Sequence, residues 1–152
     1  MKKITMLFAA LMLLAALQPA AANTMYDNDD KSIAFSELPA AAQHFIKKHF
    51  ATEEVSLVLL DSGVISNEYE VMLASGTKVE FDGSGEWKEI KCRQGEVPAD
   101  LVPAKIANYV GKHYSGTKIV ELKRDYHEWE VKLGNGLELT FDTDFKLREI
   151  DD

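Results

Sequence analysis

Two stretches decide how this chain is read: residues 68–90, EYEVMLASGTKVEFDGSGEWKEI, and residues 128–150, EWEVKLGNGLELTFDTDFKLREI. Laid side by side at an offset of 60, they agree at nine of 23 positions, including Glu70/Glu130, Val71/Val131, Phe81/Phe141, Asp82/Asp142 and Ile90/Ile150. Average residue usage would give about one or two matches. Within each stretch the pattern has period two: Tyr69, Val71 and Leu73 alternate with Glu68, Glu70 and Met72, and Val79 and Phe81 alternate with Lys78, Glu80 and Asp82. Such alternation predicts strands with one face on a core and the other in water. In the second stretch Trp129, Val131, Leu133, Leu139 and Phe141 form the inner row, while Glu128, Glu130, Lys132, Glu138, Thr140 and Asp142 point away. Ala74-Ser75-Gly76 and Gly134-Asn135-Gly136 supply hairpin turns. Trp87/Ile90 and Leu147/Ile150 are three apart, which calls for a bulge or for burial on both sides of the last strand.

Working upstream, a helix precedes each stretch. Pro39/Pro103, Ala40/Ala104, Lys48/Lys112 and His49/His113 match at an offset of 64. Ser36 and Asp100 are good N-cap residues, with Pro39 and Pro103 in the first turn behind them. Leu38, Ala41, Ala42, Phe45, Ile46 and His49 then recur at helical spacing, and Val102, Ile106, Tyr109, Val110 and His113 do the same. Further strands are expected over residues 55–60 and 119–122. The predicted fold class is α+β: two tandem helix-plus-four-strand antiparallel units, residues 32–92 and 97–152, with the helices on one face of the sheet.

Ahead of them, Met1-Lys2-Lys3 and the apolar run over residues 4–17 lead through Gln18-Pro19 to Ala20-Ala21-Ala22. This is a secretory signal pattern over residues 1–22. The expectation is a periplasmic protein with no membrane insertion after cleavage. Residues 23–31 (NTMYDNDDK) are polar and acidic and read as a flexible arm.

Composition narrows the function classes. The 152 residues carry 17 Lys+Arg against 25 Asp+Glu, a formal charge of −8, which argues against a nucleic-acid partner. A single cysteine, Cys92, excludes a disulfide framework and a cysteine-rich zinc site. The sequence has no nucleophile elbow, phosphate-binding glycine loop or zinc-protease helix, so no catalytic residues and no cofactor are expected. His49 and His113 are read as packing residues, because a metal site needs three or four convergent ligands.

The helix followed by EYEVML-SGTKVEFDGSGEWKEI, its echo EWEVKLGNGLELTFDTDFKLREI, and the leader together resemble the PepSY-like periplasmic proteins. The resemblance implies a fold like that of β-lactamase inhibitor protein, built of tandem helix-plus-four-strand units. It also implies a protein that binds other proteins, with inhibition as one outcome and no catalytic residues to carry over.

Two sets of residues are candidates for function. The first is the polar sheet face: Glu68, Glu70, Glu80, Glu128, Glu130 and Glu138, with Lys132 among them, would set up a field that steers a basic envelope or secreted protein. Leu57, Leu59 and Met72 would add an apolar row to that face, and Tyr126 an anchor at a hairpin tip. The second set is acidic: Asp27 and Asp29 on the arm and Asp82, Asp142 and Asp144 in turns could offer oxygens to Ca²⁺, the basis of an alternative reading as a calcium- or small-ligand-responsive sensor.

Overall fold

Alternation along each strand becomes a cross-strand ladder once the strands pair. The computed structural model describes residues 30–152 except Val64. The leader expected over residues 1–22, and Asp27 and Asp29 of the arm, lie outside the described residues. The chain runs through β1 (Asp30–Ser32), α1 (Ala40–His49), β2 (Val55–Ser62), β3 (Asn67–Leu73), β4 (Lys78–Phe81), β5 (Trp87–Lys91), α2 (Ala104–His113), β6 (Ile119–Arg124), β7 (Glu128–Leu133), β8 (Glu138–Asp142) and β9 (Leu147–Asp151).

These strands correct the expected fold class. They form one nine-stranded antiparallel sheet in the order β1 to β9, mostly β with two α-helices among the described residues, rather than two tandem helix-plus-four-strand units. The physical reason is the join between β5 and β6. Glu89 lies opposite Lys123, Ile90 opposite Leu122 and Lys91 opposite Glu121, so two edges that would otherwise stand open satisfy each other. Cys92 N–H donates to Val120 O and Val97 N–H to Ile119 O, both at 2.8 Å, extending the seam into the link. The helix side adds Arg124, whose guanidinium lies 4.1 Å from the Trp87 ring centroid and whose Nε donates to Trp87 O at 2.9 Å. His49 Nδ1 lies 2.9 Å from Asp100 Oδ2, tying the end of α1 to the turn before α2. Asp30 and Lys31, the end of the segment read as a flexible arm, pair with Asp61 and Leu60, and together with Ser32 opposite Leu59 they form β1.

The helices begin later than expected. Ser36 and Asp100 sit in short 3₁₀ turns, Phe35–Glu37 and Ala99–Leu101, and Pro39 and Pro103 take the N-cap positions. Proline forces its predecessor out of the helical region. Leu38 and Val102 are accordingly extended (ψ 150° and 122°), which separates each turn from its helix.

One face of the sheet holds the core. Val58, Val71, Val79, Ile90, Leu122, Val131 and Leu139 are successive cross-strand neighbours, and all are buried. Ala42 and Ile46 of α1 and Ile106 and Val110 of α2 belong to the same cluster. Each such valine, leucine or isoleucine side chain contributes roughly 1.5–3 kcal/mol by leaving water. The broken alternation of β5 and β9 resolves into bulges: the registers shift between Glu80 and Phe81 and between Thr140 and Phe141, leaving Lys88 and Arg148 as the extra residues.

Candidate functional site

Every residue that alternates with the core row points to the opposite face, and no described helix lies there. Two ladders cross it. One runs Leu57, Met72, Lys78, Lys91, Glu121, Lys132, Glu138, Asp151. The other runs Leu59, Glu70, Glu80, Glu89, Lys123, Glu130, Thr140, Glu149. The β strands therefore bring the predicted residues Glu70, Met72, Glu80, Glu130, Lys132, Glu138, Leu57 and Leu59 onto one surface. Glu68 and Glu128 stand on the same face, two residues beyond Glu70 and Glu130 of the second ladder.

Much of the charge on this face is paired. Lys78 Nζ lies 2.6 Å from Glu70, Lys88 2.6 Å from Glu68, Lys91 3.0 Å from Glu121, Lys123 3.1 Å from Glu130 and Lys132 3.6 Å from Glu138. Half-exposed pairs of this kind are individually worth about 0.2–1 kcal/mol. They shape the surface more than they hold the fold. Glu80 and Glu89 have no such pair among the described residues. Partial burial and the neighbouring Glu70 raise the Glu80 carboxyl, against the pull of Lys78. Burial, Glu80 and a hydrogen bond with Glu121 push Glu89 up to about 7. The centre of the face thus holds carboxylates that are short of positive charge.

Beside this row lies a shallow hollow with Leu59 in its lining and the carboxylates of Asp30, Asp61, Glu68, Glu70 and Glu80 around it. Leu59 points outward as its register demands, yet it is only 9 % exposed. Leu57 and Met72 are half-buried. Tyr126 is 94 % exposed between β6 and β7, and Ile65, which the sequence pattern did not single out, is 99 % exposed between β2 and β3. The sequence reading also passed over Glu89, Lys91, Glu121 and Lys123. Glu89/Glu149 is among the nine identities, but only the β5–β6 register reveals what Glu89 faces.

The acidic turns are arranged for themselves. Asp82 Oδ1 accepts from Ser84 N–H at 2.8 Å, Ser84 Oγ at 2.6 Å and Glu86 N–H at 3.0 Å. Burial works against ionisation of Asp82, but the Ser84 hydroxyl and the turn amides outweigh it and hold the carboxyl below its ordinary value. Asp142 Oδ1 accepts from Lys146 N–H at 2.9 Å and Asp144 N–H at 3.0 Å, and its Oδ2 lies 2.7 Å from Arg148. The Lys146 amide is the main cause of its lowered value. Lys105 Nζ donates to Asp144 O at 3.3 Å, placing a cation at that turn. Among the described residues no three His, Cys, Asp or Glu side chains converge as a metal site would need. Cys92 is buried, and burial raises its thiol. His113 stacks on Tyr109, with ring centroids 4.4 Å apart.

Comparison with known proteins places this geometry. The chain superimposes on a "putative periplasmic protein" of the DUF2874 family from Bacteroides vulgatus with a TM-score of 0.79 at 38% identity, covering 84% of this chain and 100% of that one. It superimposes equally well, at 0.79 and 42% identity, on a "putative calcium-regulated periplasmic protein" from Bacteroides thetaiotaomicron, covering 82% of this chain and 98% of that one. A second Bacteroides vulgatus protein, a "putative periplasmic protein of unknown function", gives 0.77 at 34% identity over 81% of this chain and 99% of its own. No curated protein matches the chain. No described helix is long and apolar enough to cross a membrane. The family model described as "Putative beta-lactamase-inhibitor-like, PepSY-like" matches residues 67–149, and the chain belongs to that PepSY-like family.

Proposed function

We propose that this is an exported, non-catalytic binding protein of the periplasm that recognises a basic partner protein through the face of its sheet that no described helix covers. The observation that carries the reading is the arrangement of layers: both helices pack on the core row, and the opposite face presents two charged ladders with an under-compensated acidic centre. Its weak ion pairs can be exchanged for a partner's charges at little cost. The hollow, lined by five carboxylates together with Leu59 and Tyr69, suits a partner's Lys or Arg, whose aliphatic stem and charged head want different surroundings. Tyr126 and Ile65 at two hairpin tips offer anchors beyond the ladders. The family's description as β-lactamase-inhibitor-like supports inhibition of the bound partner as one outcome of capture.

The test is capture of the periplasmic partner by the purified protein, followed by the variant Glu70→Lys/Glu130→Lys and by the swapped pair Glu70→Lys/Lys78→Glu. The double reversal should cut capture at least tenfold while leaving the circular dichroism unchanged, and the swap, which restores the ion pair, should cut it less. Undiminished capture by the double reversal counts against the sheet face as the contact surface.

The calcium-responsive reading draws on one neighbour, the Bacteroides thetaiotaomicron protein described as calcium-regulated. In this chain the Oδ1 atoms of Asp82 and Asp142 already serve their own turns, which favours the protein-binding reading. Calorimetric titration with Ca²⁺ separates the two: heat saturating at micromolar metal would favour the sensor.

A further inference from the structure

The two edge-forming strands of the sheet's halves meet different fates. Ile90 of β5 is fully buried, because β6 lies alongside and sets Leu122 against it. Ile150 of β9 faces the same side of the sheet, opposite Leu139, and is 47 % exposed. Among the described residues β9 has β8 on one side and no strand on the other. An open edge with a half-exposed isoleucine is a template for another strand.

The β5–β6 seam shows what such a strand must carry. There Lys123 stands opposite Glu89 and Leu122 opposite Ile90, while Glu121 answers Lys91. On β9 the corresponding residues are Glu149, Ile150 and Asp151, acidic at both outer-face positions. A second copy of the chain fits poorly. Two β9 strands paired antiparallel about Ile150 would set Glu149 of each copy against Asp151 of the other, and β1 (Asp30–Ser32) has no apolar residue to set against Ile150. We infer that the β9 edge binds an extended segment of another protein by strand addition, and that this segment presents an apolar residue between two basic ones. Backbone hydrogen bonds supply the attachment, and the basic–apolar–basic order supplies the selection. The edge acts independently of the acidic centre of the sheet face, so one can fail without the other.

The probe is the end-blocked hexapeptide Ile-Val-Lys-Leu-Lys-Arg, the β6 sequence with Lys in place of Glu121, titrated to millimolar concentration into the purified protein. Binding is followed by amide chemical shifts and hydrogen exchange. Saturable binding is expected, with shifts and slowed exchange confined to β9 and β8. The control peptide Ile-Val-Glu-Leu-Glu-Arg should bind at least tenfold more weakly. Ile150→Asp and the double variant Glu149→Lys/Asp151→Lys should each weaken the basic peptide at least tenfold. These residues are exposed, so the variants should keep the native amide spectrum outside β9. No binding, equal binding of both peptides, protection centred on Glu80 and Glu89, indifference to both variants, or self-association of the protein through β9 would each overturn the inference.

Discussion

The turn that closes β4 onto β5 and the turn that closes β8 onto β9 are held by the same device and filled by opposite residues. In both, an aspartate at the strand end, Asp82 or Asp142, accepts the amides two and four residues on. In both, the fourth residue adopts a left-handed backbone: Gly85 at φ 88° and Phe145 at φ 62°. A Cβ on Gly85 would come within 2.8 Å of Pro39 Cβ and 3.0 Å of Ala42 N, because the start of α1 presses on that turn. Phe145 instead has room for a ring, which lies 5.7 Å from Trp129 and carries Lys105 Nζ at 5.7 Å. The comparison teaches that local hydrogen bonding sets the turn's conformation, whereas clearance beneath the helix decides which side chain it can hold.

The largest effect should come from forcing the first turn to resemble the second. Gly85→Phe meets both the left-handed strain and the wall of α1, and should cost about 3 kcal/mol or more, read as a fall of roughly 10 °C in Tm. The reciprocal Phe145→Gly relieves about 1 kcal/mol of backbone strain and forfeits about 2–3 kcal/mol of ring burial, a net loss of about 1–2 kcal/mol. If Phe145→Gly proved the more damaging, clearance would not be what separates the turns.

A middle-sized effect is expected from the shared anchor. Asp82→Ala strands three donors and should cost about 1–2 kcal/mol in urea denaturation at pH 7. Because the folded Asp82 carboxyl is held below its unfolded value, this contribution is present above the unfolded pKa and fades as pH falls through the depressed one. The gap between wild type and Asp82→Ala should therefore narrow in acid. A gap independent of pH would mean that packing of the turn, not its charge, is what matters.

The smallest effect contrasts β5 with β9. Glu89 is raised to about 7 in the fold, so between its unfolded value and pH 7 the native state holds the extra proton. Stability from this group is full below the unfolded pKa and is lost as pH rises through 7. Glu89→Gln should therefore gain on the order of 1 kcal/mol at pH 8, after allowing for solvent screening, and nothing at pH 4. Glu149→Gln on the exposed edge strand should change stability by less than about 0.5 kcal/mol at either pH. Equal gains from both substitutions would remove the seam as the source of the effect.

What the residues declared locally, the structure repeats in the inner rows from Val71 to Phe81 and from Val131 to Phe141 and in the hairpin turns; of the two helical stripes it buries Ala42, Ile46, Ile106 and Val110, while Ala41 and His113 are exposed and Leu38 and Val102 lie ahead of their helices. Alternation is a property of neighbouring residues, and a sequence displays it directly. What went unread depends on residues far apart. Nothing near Glu89 announces Lys123, and nothing near Ile90 announces Leu122, so the fusion into nine strands was not visible. Helix starts were misplaced because Ser36 and Asp100 satisfy the capping pattern, while the proline effect on Leu38 and Val102 decides the backbone. The outward face of Leu59 rested on matching Val58 and Leu60 to Val120 and Leu122, because residues 57–60 are apolar throughout and do not alternate. Its burial followed only from β1, which an acidic tail does not advertise.

The join of β5 to β6 also governs how the gene could be divided. Cleavage of the chain within residues 93–96, between Cys92 and Val97, would leave two fragments, each bearing a raw strand and a widowed isoleucine or leucine where Ile90 and Leu122 had touched. Neither piece would be expected to stay dispersed by itself, and mixing them should restore the native spectrum. The two halves are legible as separate phrases, but the seam makes each the other's missing neighbour.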